Sequence, residues 1–175
     1  MHITDELLTS KNACANGKHW FNKGFPAGID IQIAIDRAVE EDYPDYADWL
    51  ITAFGPINRT LKVDGDLIVE KSLYFCGSIA VTGRIQVQGQ LRAGSGIKAG
   101  SGIEAGLGIE AGSGIEAGSG IEAGWGIEAG SDFGIYVGLR LRMSLRAKRA
   151  TVTAKEEPKN IVCGTYKQPD NVDVT

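Results

Sequence analysis

The sequence predicts a mainly β protein: a parallel β-solenoid of about three hexads per rung and about five rungs, preceded by a small N-terminal α-helical domain. The first observation is a strict six-residue period. Leu61, Leu67, Leu73, Ile79, Ile85, Leu91, Ile97, Ile103, Ile109, Ile115, Ile121, Ile127, Phe133, Leu139 and Leu145 all fall in one phase. A short period of this kind means that each unit buries its apolar residues against the units before and after it, as in a solenoid. The second observation is the content of the hexads: Ile79-Ala-Val-Thr-Gly-Arg and Ile85-Gln-Val-Gln-Gly-Gln alternate inward and outward residues and end at a glycine corner, the pattern of short half-buried strands. The third is the spacing of exceptions. Leu107, Trp125 and Met143 replace the usual serine at intervals of 18 residues, which stacks them in one column if a rung holds three hexads.

The charges agree with that rung length. It sets Arg92 beside Glu110, Lys98 beside Glu116, Glu122 beside Arg140 and Glu128 beside Arg146, with like pairs only at Glu104/Glu122 and Glu110/Glu128. A 12-residue rung would stack Glu104 on Glu116 and Glu110 on Glu122, and opposed like charges on neighbouring strands are unfavourable. Five rungs at ~4.8 Å spacing give a stack roughly 24 Å long. From Ile97 the second inward residue of each hexad shrinks from Val to Ala, so the interior there is narrower or packed differently.

Ahead of the array, four helical segments are expected. Asp5 to Leu8 is a short turn capped by Thr4. Asn12 to Phe21 places Ala13, Cys14, Gly17, Trp20 and Phe21 on one stripe and is broken by Gly24-Phe25-Pro26. Asp30 to Glu41 carries Ile31, Ile35, Ala38 and Val39 on one face, although the Ile31/Ile33/Ile35 alternation also suits a strand. Asp45 to Phe54 has Tyr46, Trp49, Leu50, Ala53 and Phe54 at helical spacing between Pro44 and Gly55-Pro56. The dense aromatics give this unit a small core of its own. The expected organisation is residues 1–56 as a helical domain or solenoid cap, 57–154 as the solenoid, and 155–175 as a C-terminal tail.

Net charge is -4 with a pI near 5.2, so direct nucleic-acid binding is not expected. MHITDELL lacks the basic start and apolar run of a signal peptide. The expected setting is cytoplasmic, without a membrane. Cys14, Cys76 and Cys163 are odd in number and lack metal spacing, which predicts reduced structural thiols; His19 is expected to be structural too.

The hexads resemble two solenoid families: the hexapeptide acyltransferases, through an aliphatic residue followed by Glu and then Ser, and the bactofilins, through VDGDLIV and GSIAVTGRIQVQG. KNACANGKHWF, DWLITAF and the AGSGIEAG repeats look like uncharacterised proteins of phages and prophages. That last resemblance implies, by analogy, an inhibitor of host defence of the anti-CRISPR kind.

Catalytic constellations are missing from the sequence. The acyltransferase family needs a general base, usually histidine, in its β-helix, and the only histidines are His2 and His19. The glycine run reads G-x-G-x-x-x-G at Gly94, Gly96 and Gly100, with no Lys-Ser/Thr after it, so no phosphate cradle is expected. One glutamate per strand lacks the clustered oxygens of a calcium site. No enzyme activity, cofactor or metal is expected. The candidate partner-binding residues are Leu107, Trp125 and Met143, as inward corner fillers or an outward stripe, with an acidic belt of Glu104, Glu110, Glu116, Glu122 and Glu128. A basic end at Arg140, Arg142 and Arg146 completes the set. The expected function is docking on a host protein or nucleoprotein complex; the alternative is a bactofilin-like scaffold assembling through the solenoid ends.

Overall fold

The computed structural model describes residues 1–130 and, as backbone, the strands Gly134–Val137, Thr151–Thr153 and Thr165–Lys167. Met143, Arg140, Arg142 and Arg146 lie outside the described residues, as does Cys163.

The chain opens with β1 (His2–Ile3), α1 (Asp5–Ser10), α2 (Ala15–Gly24), β2 (Ile29–Asp30), α3 (Ile31–Glu40) and α4 (Pro44–Phe54). Thr4 caps α1 by accepting from the Leu7 amide at 3.5 Å. The second helix starts three residues later than its apolar stripe suggests, because Cys14 acts as its N-cap: the thiol accepts from the Gly17 amide at 3.3 Å. Cys14 is therefore exposed, not buried in the stripe. The Ile31/Ile33/Ile35 ambiguity resolves to a helix, with Ile31 and Ile35 fully buried and Ile33 outside. Pro44 sits in the first turn of α4, and Gly55 ends it at φ 71°, a left-handed conformation that glycine reaches without a Cβ penalty.

Asp30 holds several of these pieces together. It caps α3 through the Gln32 amide at 3.1 Å, and its carboxylate receives both arms of Arg59 at 2.7 and 2.6 Å and the Met1 amino group at 3.0 Å. The Arg59 guanidinium holds the Asp30 carboxyl well below the usual carboxylate range. A depressed folded pKa adds stability that is present above the unfolded value, near 4, and is lost as pH falls through it. Asp30→Asn keeps the cap, so it is expected to cost about 1 kcal/mol at pH 7, allowing for solvent screening. Its urea-derived deficit should begin to narrow as pH falls below 4 and still be largely present at pH 3, because the folded carboxyl titrates well below that.

The solenoid follows in four complete turns. They are β3 (Thr60–Val63), β4 (Leu67–Val69) and β5 (Leu73–Phe75); β6 (Ser78–Val81), β7 (Ile85–Val87) and β8 (Leu91–Ala93); β9 (Ile97–Ala99), β10 (Ile103–Ala105) and β11 (Gly108–Ala111); and β12 (Gly114–Ala117), β13 (Ile121–Ala123) and β14 (Gly126–Ala129). β15 (Gly134–Val137) begins a fifth turn. The remainder of the expected five rungs falls outside the described residues. Strands three apart pair in parallel, giving faces β3-β6-β9-β12-β15, β4-β7-β10-β13 and β5-β8-β11-β14. Up to β14 the partners are 18 residues apart, as with Ile79 opposite Ile97 and Ile103 opposite Ile121. Three hexads make one turn.

The period then slips. Ile135, not residue 133, stands opposite Ile115, and Gly134 faces Gly114, an offset of 20 residues. In the ladder, Ile135 stands where the six-residue phase assigns Phe133. After β15 the described residues form one further parallel pair, β16 (Thr151–Thr153) and β17 (Thr165–Lys167).

Inside the stack, one aliphatic column runs up each face: Leu61, Ile79, Ile97 and Ile115 on the first, Leu67, Ile85, Ile103 and Ile121 on the second, Leu73, Leu91, Ile109 and Ile127 on the third. Beside them, Val63 and Val81 give way to Ala99 and Ala117, and Phe75 to Ala93 and Ala111. The middle turns are fully buried, whereas Leu61, Val63, Leu67, Val69 and Leu73 of the first turn are only partly covered.

The helical unit fastens to an outer face of the first two turns. Tyr74, outward on β5, and Cys76 join the apolar core of the helices with Ile31, Ile35, Leu50 and Ile51. Gln32 of α3 donates to the Tyr74 carbonyl at 2.8 Å and accepts from the Cys76 amide at 3.0 Å. Burial pushes the Cys76 thiol up to about 11, so it stays protonated and inert at neutral pH. Arg92 of β8 reaches α4, where its Nη2 donates to Thr52 at 3.0 Å and its Nε lies 2.8 Å from Asp48 without donating to it; its Nη1 pairs with Glu110 on the next turn.

Candidate functional site

The five glutamates encircle the third and fourth turns. The triangular cross-section spreads them over three faces. Glu116 stands on the first and is bound by Lys98 at 2.9 and 3.0 Å. Glu104 and Glu122 are opposite each other on the second. Glu110 and Glu128 are neighbours on the third, where Glu110 is held by Arg92. Both expected pairings that fall among the described residues, Arg92–Glu110 and Lys98–Glu116, are formed. Among those residues no cation pairs with Glu104, Glu122 or Glu128. The partners expected for Glu122 and Glu128, Arg140 and Arg146, lie outside them.

Leu107 and Trp125 occupy the corner between the second and third faces. The Leu107 amide donates to the Gly89 carbonyl at 3.2 Å and the Trp125 amide to the Leu107 carbonyl at 3.0 Å, so Gly89, Leu107 and Trp125 form one column. Leu107 is half-buried. Trp125 is 80 % exposed, which excludes the inward corner-filler role for its indole.

The reason for its outward position lies in the corners. At the corners before Gly94 the glycine, where there is one, is the middle corner residue, as at Gly65, Gly83 and Gly89; a Cβ on Gly83 would overlap Asp66 and the Gly65 carbonyl, and one on Gly89 the Ser72 hydroxyl. In the third and fourth turns the tight approach moves one residue earlier. A Cβ on Gly106 would overlap the Gln88 carbonyl, and one on Gly124 the Gly106 carbonyl. The middle position is thereby released from the crowded approach and can carry Ser101, Ser119, Leu107 or Trp125.

The result is a ridge at one corner of the fourth turn, with the indole at its crest, Glu104 and Glu122 on one flank and Glu128 on the other. A large exposed aromatic is costly to leave in water and is a preferred anchor in protein interfaces. The carboxylates beside it set the sign of a complementary surface. Among the described residues no His/Cys/Asp/Glu group is arranged to hold a metal ion. No described helix is long and apolar enough to cross a membrane.

Sequence reasoning picked out the ridge residues by their departures from the repeat. It missed Tyr74 and Arg92 as attachment points for the helices. Tyr74 carried a signal, an aromatic residue at an outward hexad position with no reason to face solvent; Arg92, a charged residue at such a position, carried none.

Residues 1–54 match a family model described as the YdhT N-terminal domain. The match ends with the last residue of α4 and leaves the solenoid outside it. No curated protein and no solved structure matches the chain.

Proposed function

We propose that this is a non-enzymatic, phage-encoded binding protein that docks on a basic surface of a host protein or nucleoprotein complex and blocks it, an anti-defence inhibitor acting in the cytoplasm. The observation that carries the proposal is Trp125, exposed at the crest of a rigid corner and flanked by Glu104, Glu122 and Glu128. A solenoid backbone costs little entropy to present such a ridge, since each strand is already fixed by its neighbours. Basic grooves that bind nucleic acid offer the matching charge, and an acidic ridge would compete for them. The phage origin rests on the sequence resemblance.

A second reading is a self-assembling scaffold of the bactofilin type. It is favoured by the first turn, where β3, β4 and β5 each have a sheet partner on one side only among the described residues. Against it, Lys62, Asp64, Asp66, Glu70 and Lys71 decorate that turn, and edge charges oppose strand addition. Affinity capture from host lysate, with light scattering in parallel, separates the two. The expected result is one stoichiometric partner, lost with Trp125→Ala and kept with Ser119→Ala, from a protein of fixed size. Open-ended growth with concentration and no partner would replace the inhibitor by the scaffold.

A further inference from the structure

The helical unit holds a cavity of about 370 Å³ that the ridge does not use. It opens between the α1–α2 connection, with Asn12, Ala13 and Cys14, and the first half of α4, with Asp45, Tyr46 and Trp49; Trp20 lines it from α2. Its size lies within the range of small-ligand sites, and its lining is mostly apolar and aromatic. The fold keeps it open at Gly17, where an added Cβ would meet the Cys14 sulfur at 3.3 Å and the Tyr46 ring at 3.8 Å. Asn12 reaches its place through a left-handed backbone, φ 59°.

The electrostatics of this cavity are one-sided. Asp45 is the only charged side chain in its lining. Lys18 donates to Thr9 at 2.6 Å and pairs with Asp5, Lys11 lies over the Phe54 ring, and Lys23, in the last turn of α2, does not line the cavity. The Trp20 N–H is taken by Glu41 at 2.6 Å and its ring packs against Phe25, Tyr43 and Tyr46, so it offers the cavity the part of its ring surface those neighbours leave uncovered. Four aromatic residues line the cavity, Trp20, Tyr46, Trp49 and the buried Phe21, and with one carboxylate and no cation in the lining they attract positive charge. Side-chain oxygen acceptors in the lining are confined to Asn12, Asp45 and Tyr46, so a strongly hydrated primary ammonium with three N–H donors exchanges water poorly for this mostly apolar and aromatic wall. A quaternary ammonium has no such donors and is weakly hydrated.

We infer that this cleft binds a small quaternary ammonium compound, with the cationic head against Trp20, Tyr46 and Trp49 and its charge balanced by Asp45. The site belongs to the helical unit and is independent of the docking ridge.

The test is titration of Trp125→Ala protein, in which Trp20 and Trp49 are the remaining tryptophans, with choline, its uncharged isostere 3,3-dimethylbutan-1-ol, and ethanolamine. The expected result is a saturable change of tryptophan emission with choline, and binding about tenfold weaker for the other two. Asp45→Asn, at an exposed position in the first turn of α4, should fold normally and lose most of the preference for choline over the alcohol. Equal binding of the alcohol, equal or tighter binding of ethanolamine, an unchanged preference in Asp45→Asn, or no saturable response to choline would each overturn the assignment.

Discussion

Gly112→Ala is expected to destabilise the solenoid by about 3 kcal/mol, whereas Gly120→Ala, eight residues on in the same repeat, should be neutral or slightly stabilising, within about 1 kcal/mol. The repeat AGSG contains two glycines that look equivalent in sequence. A Cβ on the first, Gly112, would overlap the carbonyl oxygen of Gly94 in the turn below, while a Cβ on Gly120 meets nothing within 4 Å. The Cβ is fixed by the backbone and meets a backbone oxygen, so no rotamer change relieves the clash; the corner must move, and with it the bonds from Gly112 to Ala93 at 3.1 Å and from Gly130 to Ala111 at 2.9 Å. Neither glycine has a left-handed φ, so the contrast is one of space alone. Urea denaturation of the two variants measures it. Similar stabilities would show that the corners yield more readily than their backbone contacts allow.

Arg92→Ala is the second large effect, expected at about 2 kcal/mol after allowance for the partly exposed partners. Arg92 is 9 % exposed and stands between Asp48 and Thr52 of α4 and Glu110 of the third turn. Its removal leaves two carboxylates near each other without their cation. Burial already pushes the Asp48 carboxyl above its ordinary range, against the pull of Arg92. A group with a raised folded pKa favours the folded state in its protonated form, a contribution present at low pH and lost as pH rises through that pKa. In the variant Asp48 rises further, so the deficit relative to wild type should narrow between pH 7 and pH 4. Chemical denaturation across that range checks it, and adding Asp48→Ala should recover part of the loss at pH 7. A deficit independent of pH would assign the effect to lost packing of the arginine stem instead.

The solenoid was legible because every turn repeats the same burial problem. Ile97, Ile103 and Ile109 announce three faces, and the 18-residue interval between Leu107 and Trp125 reveals how they close. Strand pairing here is a consequence of periodicity, and periodicity can be read directly. The two-residue slip at Ile135 could not be read in this way, since Phe133 is apolar and fits the six-residue phase as well as Ile135 fits the ladder. Local propensity also located the helices, with boundary errors where a cap is unusual, as with the Cys14 thiol at α2. Placement of the helical unit on Tyr74 and Arg92 depends on contacts between segments some 40 residues apart, such as Gln32 with Tyr74 and Thr52 with Arg92. No short-range pattern encodes those contacts.

The ridge was half legible. Leu107 and Trp125 stood out as exceptions, but their direction depends on which corner residue approaches the turn below. That is decided by the shift of glycine from the middle position at Gly89 to the first position at Gly106 and Gly124. The glutamates were legible as a series, but their distribution follows only from the fold, since a linear run is shared among three faces once the chain turns at every sixth residue.

The docking claim is tested most directly by a photo-crosslinking side chain placed at residue 125 and, separately, at residue 119, the equivalent exposed position of another corner. The ridge account predicts a crosslink from position 125 to one host protein, at a basic segment of that protein, and none from position 119. Equal crosslinking from both corners, or crosslinks from position 125 only to further copies of this chain, would contradict it.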